Sequence, residues 1–296
     1  MTANAQQRPH PRPSALPKEP RLLLPQEVAN VSPPNIRRPR ALVTGATGGM
    51  GREIVRELAR THEVFAIGRD ATALAELEKI SGVRGLRVDL GDPASIAESI
   101  ADVLGSEVAT ATGDAVSARV SPGIVVATGA TTNTMPEFDV LVHAAAIGAR
   151  RSVAEASPAD WANSLTVNVA APAELTRIAL PGLRKRAGTI VFIGSGASTR
   201  PVPGSAVYTA SKHALRGLAD ALRIEEEPHR VRVVTIAPGQ TDTAMLRAGI
   251  APESYAAERY IRPESIALAV RFVVDAPADV HITDLPVRPR QEIARL

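Results

Sequence analysis

A doubly wound α/β domain, built on a mostly parallel sheet of seven strands, is predicted by two observations. From Pro39 onward short apolar runs alternate with helical patterns, and the first run leads straight into a Gly-rich turn, Thr44-Gly-Ala-Thr-Gly-Gly-Met-Gly51. Strand–helix alternation is the pattern of a parallel sheet covered by helices.

The elements follow in order. Ala41–Val43 reads as a buried strand, and Arg52 to Arg60 as a helix with Ile54, Val55 and Leu58 on one face. Val64–Ile67 is the second strand, Ala71 to Ile80 the second helix and Leu86–Val88 the third strand. Pro93 to Leu104 is the third helix, opened by a proline in its first turn as helix starts allow. Phe138–His143 makes strand four, Ala159 to Leu183 one long helix and Thr189–Ile193 strand five. Ala206 to Glu226 is the next helix, Val231–Ile236 strand six, Glu264 to Asp275 the last helix and Val280–Thr283 the closing strand.

Two stretches stand outside this rhythm. Nine of the 24 prolines fall in residues 1–40, so residues 1–36 are expected to form a disordered Pro-rich tail ahead of a single domain over 37–296. Residues 105–136, rich in Ala, Thr, Val, Ser and Gly, read as an insertion between the third helix and fourth strand.

Charge and composition then narrow the function. The chain carries a net charge of +3, but residues 1–40 hold seven basic side chains against two acidic ones. The remainder is slightly acidic, which gives nucleic-acid binding little support. With no cysteine, disulfides, thiolate nucleophiles and iron–sulfur clusters are out, and a reducing compartment, the cytoplasm, is expected. No apolar run approaches the roughly 18 residues of a spanning helix, and the N-terminus lacks the apolar core of a secretory signal. The six histidines show no ligand spacing, so no metal is expected.

The glycine turn sits after a strand and opens a helix, where absent side chains let backbone N–H groups approach a pyrophosphate. No Lys-Ser or Lys-Thr closes it, which excludes a phosphate-cradling P-loop. Farther on, Tyr208 and Lys212 stand four residues apart and share a helix face. A cation beside a phenol favours the ionised form, so Lys212 is expected to lower the Tyr208 pKa and make it an acid and base near neutral pH. Ser195, just after strand five, is placed to hydrogen-bond a substrate oxygen where charge develops. It lies outside a Gly-x-Ser-x-Gly elbow, which argues against an α/β-hydrolase.

These residues resemble the short-chain dehydrogenase/reductase family in its standard-length, single-domain form, over residues 39–289. The glycines fit two spacings: Gly45, Gly49, Gly51 is similar to that family, and Gly45, Gly48, Gly51 to its longer sugar-nucleotide-modifying relatives. The chain leaves little for the larger C-terminal domain of the latter. The resemblance implies a Rossmann fold and a catalytic tetrad of Asn168, Ser195, Tyr208 and Lys212. In it Tyr208 exchanges the proton, Ser195 orients the carbonyl or hydroxyl, Lys212 also holds the nicotinamide ribose and Asn168 supports a proton relay.

The cofactor contacts it implies are Gly45, Thr47, Gly49, Met50 and Gly51 at the turn, Arg69 after strand two and Asp89 near the adenine. Backbone contacts from Ala144 and Ala145 follow, then Tyr208 and Lys212, then Pro238, Gly239, Thr241 and Thr243 near the nicotinamide. Arg69, with Gly68 where NAD users carry an acid, favours NADP(H), with NAD(H) the alternative. The implied activity is an NADP(H)-dependent interconversion of a carbonyl and an alcohol in a homodimer or homotetramer. The rivals are a non-catalytic dinucleotide-binding or sensory protein and an NAD-dependent epimerase or dehydratase.

The chain departs from the family pattern twice. His143-Ala-Ala-Ala146 replaces Asn-Asn-Ala-Gly, so His143 reads as a packed strand-end residue, and Gly196 follows Ser195 where many members have another hydroxyl. Arg150 and Arg151 read as exposed loop residues, Trp161 as helix packing and Glu225 to Glu227 as a solvated face. The segment from Met245 to Arg262 is expected to close over the substrate, with Met245, Leu246, Ile250, Tyr255 and Tyr260 as its apolar side chains.

Overall fold

The computed structural model describes residues 37–93, 96, 98–100, 137–148 and 150–291. The expected tail and insertion, and part of the third helix, lie outside the described residues. The described residues from Arg38 onward belong to one compact unit.

Seven strands form one sheet: β1 (Arg40–Thr44), β2 (Glu63–Gly68), β3 (Val83–Arg87), β4 (Val140–His143), β5 (Thr189–Ile193), β6 (Arg232–Pro238) and β7 (Asp284–Val287). Their order is β3-β2-β1-β4-β5-β6-β7, and every adjacent pair is parallel. Helices among the described residues include α1 (Gly49–Leu58), α2 (Ala71–Glu78), α3 (Pro158–Leu165), α4 (Ala171–Arg186), α5 (Ala206–Glu226), α6 (Ala244–Arg247) and α7 (Pro263–Val274).

Strand side chains alternate between faces, and the sequence fills both. Ala41, Val43, Val142, Val191 and Ile236 pack with Ile54, Leu58, Ile266 and Val270 of α1 and α7 on one side. Leu42, Phe65, Leu141, Ile190 and Phe192 pack with Leu175 and Leu183 of α4 and Leu215 and Leu222 of α5 on the other. Strands buried on both faces read as continuous apolar runs, which is why the sequence shows them.

The chain winds outward from β1 to β3, then crosses back to place β4 on the other side of β1. The loops after β1 and β4 therefore part at the carboxyl edge and open a crevice there, where sheets of this kind bind ligands. Arg184 Nε and Nη2 donate to Glu226 at 2.9 and 2.7 Å, tying together the ends of α4 and α5.

Two strands lie away from their expected places. The third runs over Val83–Arg87 rather than Leu86–Val88, and the last over Asp284–Val287 rather than Val280–Thr283. In the latter case β-branched residues pointed to the wrong segment. Pro286 is tolerated because β7 is an edge strand, and His281 Nε2, 2.9 Å from Val233 N, occupies the place a strand partner would take at the start of β6.

The expected helix over Ala159 to Leu183 is two helices joined by a π turn, Thr166–Ala170. Such turns insert one residue into an α-helix and often sit at functional sites.

Candidate active site

The first half of the site is the turn after β1. Gly45 has φ 64° and Gly48 N donates to Gly45 O at 2.9 Å, so the chain reverses tightly into α1. A Cβ on Gly45 would lie 2.7 Å from Ala145 Cα, and one on Gly49 would lie 2.9 Å from Thr243 Cγ2. A Cβ on Gly51 would run into the Gly45 carbonyl. Gly45 and Gly49 thus bring the backbone against the loop after β4 and the segment after β6, and Gly51 closes the turn on itself.

The first amides of a helix have no acceptor within it, so the start of α1 offers donors and a positive dipole end. Gly51→Ala is expected to cost roughly 2 kcal/mol and to abolish dinucleotide binding, because the turn must widen to admit the methyl. Urea unfolding and a cofactor titration check the two effects.

These elements border a cleft of about 550 Å³ lined by Gly45, Thr47, Gly49, Met50 and Gly51 from the turn, by Arg69 and Asp89, and by Ala144, Ala145 and Thr243. Ten of the contacts expected from the sequence therefore come together on one cleft. Pro238, Gly239 and Thr241 are not in its lining: Gly239 N donates to Val287 O at 2.7 Å, and Thr241 Oγ1 donates to Gly239 O at 3.2 Å.

The cleft fits a dinucleotide by the absence of Cβ atoms where a phosphate must approach, and by what surrounds position 68. Gly68 carries no carboxylate, and a Cβ there would lie 2.8 Å from Thr47 Cγ2, which would have to shift. Asp70 Oδ1 accepts from Ala73 N at 3.0 Å and caps α2, which turns its carboxylate to the helix rather than the cleft. Asp89 Oδ1 likewise accepts from its own turn, from Gly91 N at 2.9 Å.

The second half holds the expected tetrad. Ser195, two residues beyond β5, is extended and caps a short turn, its Oγ accepting from Ala197 N at 3.1 Å. Tyr208 and Lys212 share one face of α5, with Lys212 Nζ 5.8 Å from the Tyr208 ring centre. The Tyr208 phenol lies close enough to Ser195 for the Ser195 hydroxyl to act on its pKa.

Asn168 is buried in the π turn, and its amide is fully used. Oδ1 accepts from Ile147 N at 2.9 Å, while Nδ2 donates to Ile147 O at 3.0 Å and to Ser211 Oγ at 3.0 Å. Ser211 Oγ in turn donates to Tyr208 O at 2.8 Å. A single chain of bonds thus links the loop after β4 to the helix turn carrying Tyr208.

One expectation is corrected. Burial raises the Tyr208 pKa above its ordinary 10.0, with the Ser195 hydrogen bond opposing it, and Lys212 does not bring it down. The reason is where the ammonium points: Nζ donates to Ile193 O at 3.0 Å beneath the ring, and burial lowers the Lys212 pKa to about 8.

Thr44 and Ser211 were not singled out by sequence. Thr44 Oγ1 accepts from Ala144 N at 3.1 Å and Ala145 N at 3.2 Å, fixing the loop that lines the cleft. A hydroxyl at the end of β1 was visible, but its partners lie a hundred residues away. Arg150, read as an exposed loop residue, donates to Gly249 O at 2.9 Å. Tyr255 Oη donates to Asp242 at 2.8 Å and stacks on Tyr260, so these rings brace the segment after β6.

His143 is buried, stacked on Phe192 at 4.8 Å, with Nε2 2.9 Å from Thr176 Oγ1. Burial lowers its pKa to about 3 from 6.5. The unfolded chain therefore binds a proton that the folded one refuses, and stability falls as pH drops from about 6.5 toward about 3. Urea unfolding of His143→Leu should lack this component, narrowing the parent's loss by roughly 3 kcal/mol at pH 4.

A parallel sheet with a glycine cradle on one side of its switch point and a hydroxyl–phenol–ammonium group on the other defines a dinucleotide-dependent oxidoreductase of the Rossmann class. The family model described as "short chain dehydrogenase" matches residues 98–253, and that described as "NmrA-like family" matches residues 38–133. A short-chain type dehydrogenase/reductase of Sinorhizobium fredii is 30% identical over 261 residues, covering 86% of this chain and 92% of that protein. The NADP-dependent 3-hydroxy acid dehydrogenase YdfG of Escherichia coli K12 is 30% identical over 84% of this chain and 94% of its own. Among solved structures, the closed form of a serine dehydrogenase complexed with NADP+ superposes with a TM-score of 0.68 at 28% identity, covering 84% of this chain and 94% of the other. The chain belongs to the short-chain dehydrogenase/reductase family. Among the described residues, no helix is long and apolar enough to cross a membrane.

Proposed function

We propose that the protein is an NADP(H)-dependent oxidoreductase that interconverts a carbonyl and an alcohol. The observation that carries the reading is the meeting of Ser195, Tyr208 and Lys212 at the carboxyl edge of the sheet that also bears the glycine cradle. When bound, the cofactor supplies the hydride for reduction or accepts it in oxidation.

Everything else falls to the chain's own residues. The start of α1 and the glycines of its turn hold the pyrophosphate. Arg69 pairs with the 2′-phosphate, and Ala144 and Ala145 line the path toward the nicotinamide. Ser195 Oγ donates to the substrate oxygen and holds it beside Tyr208. In reduction the Tyr208 hydroxyl gives its proton to the oxygen that becomes the alcohol; in oxidation Tyr208 takes that proton back.

Lys212, its ammonium fixed on Ile193 O, stands under the ring and offers its remaining donors toward the ribose. Asn168 holds Ile147 and the Tyr208 turn in register. The preference for NADP(H) is supported by the absence of a carboxylate at Gly68, by the capping role of Asp70, and by relatives named as NADP-dependent or NADP-bound.

The test is a panel of ketones, aldehydes and oxo acids followed by loss of NADPH absorbance. Turnover of at least one carbonyl compound with NADPH, and slower turnover with NADH, is expected. NADPH binding without turnover of any panel member would favour the non-catalytic rival.

A further inference from the structure

The segment after β7 passes over two glycines of the neighbouring strand ends, Gly196 and Gly239. After β7 ends at Val287, the chain passes over the end of β6, where a Cβ on Gly239 would lie 3.6 Å from Arg288 Cδ and 2.8 Å from Pro289 Cδ. At the next position along the carboxyl edge, a Cβ on Gly196 would lie 3.4 Å from Arg288 Cζ, 3.6 Å from Nη2 and in collision with Nη1. The Arg288 side chain thus runs from one glycine to the other, and its guanidinium comes to rest over the residue that follows Ser195. A serine or any larger residue at 196 would displace it.

The charge of this guanidinium is uncompensated among the described residues. Some arginines of the fold meet carboxylates, as Arg40 meets Glu63 and Arg184 meets Glu226, while Arg259, Arg262 and Arg290 beside Arg288 make no such bridge among the described residues. Arg288 has no such bridge among the described residues. It borders a second cleft of about 670 Å³, lined also by Arg259, Arg262 and Arg290, with Glu258 as the one acidic side chain of its lining. Exposed cations gathered in a concave surface attract anions and raise their local concentration.

Resting on the oxidoreductase reading, we propose that Arg288 determines specificity by binding a carboxylate on the substrate, so that the substrates are short oxo acids and their hydroxy acids. The planar fork of a guanidinium takes both oxygens of a carboxylate, which fixes the molecule in orientation as well as position. With its carboxylate on Arg288, a short oxo acid presents its carbonyl to the neighbouring Ser195. Arg259, Arg262 and Arg290 draw the anion in from the edge.

The test uses the full chain with NADPH and two probes that differ in one charge, acetoacetate and methyl acetoacetate. The parent is expected to prefer acetoacetate. Arg288→Ala should raise KM for acetoacetate by about tenfold or more, as loss of a charge-assisted bidentate pair does. It should leave kcat/KM for the ester within about twofold, since the ester makes no such pair. Arg288→Lys should recover part of the loss, because it restores the charge without the fork.

Equal loss on both probes, no loss on either, or a parent preference for the ester would overturn the proposal. Acetoacetate binding, measured by calorimetry on the parent and on Arg288→Ala with NADPH present, gives a reading independent of turnover. Binding that depends on Arg288 without NADPH oxidation keeps the carboxylate site but overturns its role in substrate choice, while the oxidoreductase reading is judged by its own panel. No binding to the parent overturns the carboxylate site and leaves the other reading to its own panel.

Discussion

Tyr208→Phe is expected to lower kcat for carbonyl reduction by about 10²–10⁴-fold, while NADPH affinity stays at the parent value. The substitution keeps the ring that covers Lys212 and removes only the hydroxyl that meets Ser195. Packing of α5 and the glycine cradle are untouched, so stability should change little. The direction of the Tyr208 pKa adds a second expectation. Burial holds the phenol protonated at neutral pH, the form that reduction needs and oxidation does not. Alcohol oxidation should therefore speed up as pH rises into the alkaline range, and reduction should not. Steady-state rates in both directions measure this; a phenylalanine variant with the parent's kcat would remove Tyr208 from the chemistry.

Arg69→Ala is expected to weaken NADPH binding by about 10- to 100-fold and to leave NADH binding unchanged. The selectivity comes from elimination around the end of β2. Position 68 is a glycine and offers no carboxylate, and the Asp70 carboxylate is spent on Ala73 N. Arg69 remains as the charged side chain after β2 that lines the cleft. Added salt should weaken NADPH binding to the parent more than to the variant, because an exposed charge pair is screened. Fluorescence titrations with the two cofactors decide the matter. Equal loss for NADPH and NADH would make Arg69 a general contributor to the cleft.

Much of this was legible because the physics is local. Tyr208 and Lys212 share a face by helix geometry alone, and α5 spans the segment expected for it, Ala206–Glu226. The run Thr189–Ile193 reads as a strand because every residue in it is buried. What could not be read depends on distant partners. Leu86–Val88 looks more strand-like than Val83–Arg87, but the register that pairs Val64 with Val83 and Gly68 with Arg87 is set by the neighbouring strand. The direction of Lys212 was hidden for the same reason: its acceptor, Ile193 O, belongs to β5, nineteen residues earlier. Arg288 carried no signal in sequence, since its meaning lies in two glycines on other strand ends.

The π turn at Thr166–Ala170 amounts to one residue more than an unbroken helix needs. Deleting a residue there would give the helix back its ordinary ladder. It would also swing everything beyond the cut by about 100° about the helix axis. Leu175 and Leu183 belong to the core, so α4 cannot follow that swing. The misfit would fall on α3 and on Asn168, and the shortened protein would be a well-formed helix facing the wrong way. The irregularity works as a gearing between a face that packs against the sheet and a residue that must bridge Ile147 and Ser211. Local helical order is given up so that both can be met at once.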